Sequence, residues 1–184
     1  MIYRLIFTFF TAYFSLSYLD IKAQDSLPTF ADLVPFVTTP WEVVDAMLEL
    51  AEVKGSDRII DLGSGDGRIP IRAAVLFGTK GMGVEIDAEL VEEAKKLADE
   101  EGVSHLVDFV QGDLFEMDFS EATVLTLYLF PDINLKLRPQ ILKMKSGTRI
   151  ISHRFDMGDW EPEQTQNIIL PDGKEHLIFL WRIP

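Results

Sequence analysis

The chain has 184 residues, 47% of them hydrophobic and 26% charged, which suits one globular domain with a sizeable core and excludes a disordered protein. A formal net charge of −13 argues against a nucleic-acid partner, which would be gripped through Lys and Arg at its phosphates. The absence of cysteine excludes disulfides, thiol catalysis and thiolate metal sites, and His105, His153 and His176 are too scattered to form a metal-ligand set.

In chain order, "MIYRLIFTFFTAYFSLSYLDIKAQDS" comes first, with an early Arg4, an apolar run from Leu5 to Leu19 and a small-residue site near Ala23-Gln24. This is the layout of an export signal, and the run is shorter than the roughly 20 residues of a comfortable membrane span. Residues 1–23 are therefore expected to be a signal peptide or membrane anchor that places the protein in the cell envelope. A cytoplasm-facing anchor is the alternative. Residues 24–184 are expected to form the domain. Pro28, Pro35 and Pro40 break the chain up to Thr39, which reads as the N-cap of a helix with Pro40 at its first position. Val43, Val44, Met47, Leu48 and Ala51 give that helix an apolar face.

Strands and helices then alternate. Strands are expected at 58–62, 81–86, 107–111, 122–129 and 148–153, and helices at 68–77, 88–101 and from 132 to about 145. Two last strands, near 166–170 and 176–183, flank Pro171-Asp172-Gly173, a hairpin turn. This order predicts an α/β fold: a Rossmann-like, doubly wound, mostly parallel seven-stranded sheet with a C-terminal antiparallel hairpin.

The chemistry begins at "RIIDLGSGDGR", a strand running into a glycine turn and a helix. A dinucleotide fingerprint has glycine three residues after its second glycine, but here Arg68 stands there and the glycines are Gly63, Gly65 and Gly67. Asp66 in the turn would repel a pyrophosphate, and no Lys-Ser/Thr pair follows as in a P-loop. S-adenosylmethionine fits better, since it lacks phosphate and carries a sulfonium and an ammonium. The glycines allow close approach of its amino-acid portion, and Asp61 at the strand end suits the ammonium. Glu85, in "GVEID", stands where an acid accepts ribose hydroxyls. Asp113, in "QGDLF", can accept from the adenine amino group while Leu114 flanks the ring.

These motifs, in order and at this spacing, resemble those of class I, seven-β-strand S-adenosylmethionine-dependent methyltransferases. More narrowly, "VPFVTTPWEVVDAMLELA", "VLTLYLFPDINLKLRP" and "SGTRIISHRFDMGDW" resemble the lysine methyltransferase family of the ATP-synthase c-subunit and adenine-nucleotide-translocase enzymes. They also resemble the catalytic core of a class of histone methyltransferases. The resemblance implies a cofactor-binding set of Thr39, Asp61, Gly63, Gly65, Gly67, Glu85, Ile86, Asp113 and Leu114. It places Tyr128 at the acceptor pocket, as the candidate catalytic residue that orients an amine. The expected acceptor is a basic or lysine-bearing protein, with membrane association through residues 1–23. A small-molecule methyltransferase and a non-catalytic S-adenosylmethionine-binding domain are the alternatives. Asp66 and Arg68 read equally well as an ion pair between neighbouring elements. His153 reads as a satisfied structural histidine. Between the fifth strand and the hairpin only "RFDMGDWEPEQ" remains, so a helix there must be very short or missing.

Overall fold

A computed structural model describes residues 36–184. Helix α1 (Trp41–Leu50) leads into β1 (Arg58–Leu62), α2 (Arg68–Phe77), β2 (Lys80–Glu85), α3 (Ala88–Glu100) and β3 (Val107–Gln111). Then follow β4 (Val124–Leu127), α4 (Pro131–Ile141), β5 (Arg149–His153), β6 (Gln164–Ile169) and β7 (Glu175–Arg182). The strands form one sheet in the order β3-β2-β1-β4-β5-β7-β6, parallel from β3 to β5, with β7 antiparallel to both β5 and β6. The strand order reverses between β1 and β4, so the crevice at their carboxyl ends is the natural ligand position of such a sheet.

Strand alternation explains the layering. Ile59 and Val124 face α1 and α2, while Ile60, Leu62, Leu125 and Leu127 point the other way, onto Ile133, Leu137 and Ile141 of α4. Helix α3 buries Val91, Ala94 and Ala98 beside α2 and against Val107 and Phe109 of β3. No helix lies between β5 and β6. That stretch is a loop whose Met157 is fully buried and whose Trp160 carbonyl accepts from the indole nitrogen of Trp181 at 2.7 Å.

Three expected features take a different form. The fourth strand ends at Leu127 and not at Leu129, because β1 turns away at Gly63 and leaves no partner beyond Leu62. The helix expected to about Lys145 ends at Ile141. Pro139 stands inside it without an amide to bond back to the preceding turn. Helix α1 begins at Trp41 with Pro40 in the cap position and no side-chain cap, so Thr39 is not the expected N-cap. The segment 1–23 lies outside the described residues. The envelope location expected from it is corrected: among the described residues no helix is long and apolar enough to cross a membrane.

Candidate functional site

The carboxyl ends of β3, β2, β1 and β4 lie side by side and bring most of the expected residues together. Asp61 is buried at the end of β1, and its Oδ1 accepts a 2.6 Å hydrogen bond from the Thr126 hydroxyl, its register partner on β4. Burial is the main force raising the Asp61 pKa from 3.8 to about 7. The Thr126 hydrogen bond opposes it, and the negative charges of Glu85 and Asp66 add to it. A cation brought beside this carboxyl would lower its pKa and let it ionise.

The turn after β1 uses left-handed backbone at Gly63, Gly65 and Gly67, a conformation that side chains rarely tolerate. The three glycines do different jobs. A methyl group on Gly63 would meet Leu129, and one on Gly65 would collide with the Phe36 ring lying over the turn. Gly67 faces inward instead: its Cβ would stand 2.5 Å from Phe109 and 2.8 Å from Ala94, so its bareness lets α2 pack against β3 and α3. Ser64 Oγ is buried in the turn without a partner among the described residues.

Glu85 bridges the turn to its own strand end. Its Oε2 accepts from the Gly65 amide at 2.8 Å, and its Oε1 accepts from the amides of Ile86 at 2.8 Å and Asp87 at 3.1 Å. The carboxylate is thus oriented before any ligand arrives, with lone pairs to spare. Ile86 beyond it is exposed, as is Asp113 after β3, whose Oδ1 accepts from the Phe115 amide at 2.9 Å. Leu114 is half-buried between them and the core. Asp66 and Arg68 form the ion pair, with Arg68 Nε 2.9 Å from Asp66 Oδ1. Arg68 also donates to the Thr39 carbonyl at 2.9 Å and lies over the Trp41 ring.

Tyr128 leaves the sheet just past β4 and is half-buried, its ring packed on His153 with centroids 4.1 Å apart. Thr39 does not point at the helix start; its hydroxyl lies 3.1 Å from His153 Nδ1. Sequence reasoning missed Thr126, Phe36 and the His153–His176 pair. For Thr126 a signal existed, the one aliphatic hydroxyl in the apolar run "VLTLYLF" beside the acid-bearing strand.

These residues fit S-adenosylmethionine: a bare, left-handed turn, an oriented carboxylate beside it, a buried acid poised for a cation, and an exposed apolar edge for an aromatic ring. Residues 61–164 match the model of the ANTKMT methyltransferase domain. The chain is 43% identical to a protein-lysine N-methyltransferase of Saccharolobus islandicus (strain REY15A) over 82% of its own length and 94% of that protein. It is 29% identical to the ATP-synthase c-subunit lysine N-methyltransferase of Rattus norvegicus over 72% of this chain and 61% of that one. A crystal structure described as an RNA methyltransferase from Salinibacter ruber in complex with S-adenosyl-L-homocysteine is 54% identical, with a TM-score of 0.76, over 80% of this chain and 94% of that one. Strand order and relatives agree: the chain belongs to the ANTKMT methyltransferase domain family and is a class I, S-adenosylmethionine-dependent methyltransferase.

Proposed function

We propose that the chain transfers methyl groups to the side-chain amines of lysines on a basic protein. The observation that carries this reading is the charge around the mouth of the site. An exposed aspartate follows each of four parallel strands: Asp87 after β2, Asp113 after β3, Asp132 after β4 and Asp156 after β5. Such a rim attracts an ammonium-bearing partner and repels a phosphate backbone. The name of the Saccharolobus islandicus relative supports the same reading.

S-adenosylmethionine supplies a methyl group on a sulfonium sulfur. In this reading the bare backbone of the turn at Gly63 and Gly65 lies against its amino-acid end, with Asp61 taking the ammonium and Thr39 closing over it. Glu85 accepts from the ribose hydroxyls, and Ile86, Asp113 and Leu114 border the adenine, while Gly67 serves the turn by packing. The chain contributes chiefly placement, holding nucleophile and methyl carbon in near-attack geometry. A lysine amine near pKa ~10.4 must shed its proton first, and the apolar wall of Tyr128, Phe130 and Phe155 favours the neutral form by desolvation. Tyr128 orients that amine.

The test separates the protein acceptor from the RNA acceptor in the name of the Salinibacter ruber structure. Purified protein is incubated with labelled donor and, separately, with the protein and RNA fractions of a lysate, and labelled protein is hydrolysed to amino acids. Label in ε-N-methylated lysine is expected. Label confined to RNA would sink the reading.

A further inference from the structure

Behind the acceptor wall lies a string of polar groups of which only Thr39 has a task in the placement of cofactor and amine. His153, at the end of β5, is fully buried, and each of its ring nitrogens meets a different part of the chain. Nδ1 lies 3.1 Å from the Thr39 hydroxyl, and Nε2 lies 2.8 Å from Nδ1 of His176 on β7. One face of the ring carries Tyr128, tilted by 42°. Thr39 is a branch point, because its carbonyl also accepts from Arg68, which is bound to Asp66 inside the glycine turn. A continuous path therefore runs from the cofactor turn through Thr39 and His153 to the acceptor wall.

Two buried imidazoles are a costly way to fill a core, since polar atoms taken out of water need partners, and His176 Nε2 has none among the described residues. Burial, then the charges of His176 and Arg154, hold the His153 pKa down to about 3, so the ring is neutral and has a single N–H to donate. With the hydrogen on Nε2, His153 donates to His176 and accepts from Thr39. With it on Nδ1, His153 donates to Thr39 and accepts from His176. In both arrangements the Thr39 hydroxyl and the ring beneath Tyr128 are set together.

We propose that His153 is a positioning residue joining the two halves of the active site: through Thr39 it holds the segment over the glycine turn, and through its ring it sets the Tyr128 wall, so that cofactor binding is felt on the acceptor side. This rests on the methyltransferase reaction and not on the identity of the acceptor.

Amide hydrogen exchange with and without S-adenosyl-L-homocysteine tests it. In the wild type, binding should slow exchange both at residues 36–41 and at 128–130. Thr39→Val preserves the shape of the side chain and removes only the hydroxyl, so at S-adenosyl-L-homocysteine concentrations that saturate the variant, slowing at 128–130 should be lost while the turn after β1 remains protected. His153→Asn places an amide near the position of Nδ1, keeping the Thr39 link and deleting the ring under Tyr128. It should raise KM for poly-L-lysine by about tenfold while the Kd for S-adenosyl-L-homocysteine stays within about twofold. Retained slowing at 128–130 in Thr39→Val, or a His153→Asn protein with lowered Tm and unaltered KM, would overturn the proposal. If the wild type leaves poly-L-lysine unmodified, the lysine reading is at fault, and the exchange measurement alone decides the coupling.

Discussion

Asp61 is the residue whose chemistry is most exposed to test. Its pKa, raised from 3.8 to about 7, means that the folded protein keeps a proton that the unfolded chain has already released across that window. Its contribution to stability is therefore full below the unfolded value and is lost as pH rises through the folded one. A ligand ammonium prefers the ionised carboxylate, so binding should run the other way. Titration calorimetry should find S-adenosyl-L-homocysteine binding about tenfold tighter at roughly pH 8 than at pH 6, with proton release. Asp61→Asn should weaken binding and flatten that slope; an unchanged slope would remove Asp61 from the site. The glycines allow a second separation. Gly65→Ala and Gly67→Ala both place a side chain in left-handed backbone, at about 1–2 kcal/mol each. The first also displaces the Phe36 ring over the turn, and the second drives into Phe109 and Ala94. Gly65→Ala should thus lose cofactor affinity with a modest fall in Tm, and Gly67→Ala should fall further in Tm, both measurable by thermal melts with and without S-adenosyl-L-homocysteine.

At the level of elements, α4 does the work of the helix that is absent between β5 and β6. Asn134 and Arg138, one turn apart on its sequence, reach the same loop. Asn134 Nδ2 donates to the Asp156 carbonyl at 3.2 Å, and Arg138 donates to the Met157 carbonyl at 2.8 Å and pairs with Asp159. The Asp159 carboxylate is largely exposed, so the main-chain bond matters more than the ion pair. Arg138→Ala should cost about 1–2 kcal/mol in chemical denaturation, and Asp159→Ala much less. Equal losses would put the weight on the ion pair. The absent helix was legible because "RFDMGDWEPEQ" is too short and too broken to hold one; the clamp was not, since it depends on which turn of α4 arrives above the loop. The same contrast holds at the site. Asp61, Glu85 and Asp113 stand at strand ends that alternation and glycines mark locally, so their gathering at one crevice could be foreseen. Thr39 carries the local signal of a helix cap, and only the tertiary arrival of His153, 114 residues later, claims its hydroxyl. Gly67 has the same local surroundings as Gly65, and Phe109 and Ala94 from later elements give it a different task.

The whole molecule sets the field in which an acceptor approaches. A net charge of −13 is spread over the chain, yet aspartates follow β2, β3, β4 and β5 at the one end of the sheet where the expected cofactor residues gather. Asp87 and Asp113 also serve as local caps, accepting from the amides of Glu89 and Phe115, but each remains exposed and charged toward solvent. Their attraction for a basic protein acts over distances comparable with the Debye length, about 10 Å at 0.1 M salt, and is largely screened beyond it. In the proposed site the cofactor would be held by direct contacts in a partly buried turn, which salt screens much less. Transfer to poly-L-lysine should therefore lose about tenfold or more in kcat/KM between low salt and roughly 0.5 M, while the Kd for S-adenosyl-L-homocysteine shifts far less. Replacing Asp132 and Asp156 together by Asn should weaken that salt dependence by lowering the low-salt rate toward the high-salt one, because these two flank the acceptor wall and touch none of the expected cofactor residues. A rate indifferent to salt, or a double variant with the wild-type slope, would show that the acidic rim is only a solvated surface and that acceptor choice rests on the pocket behind it.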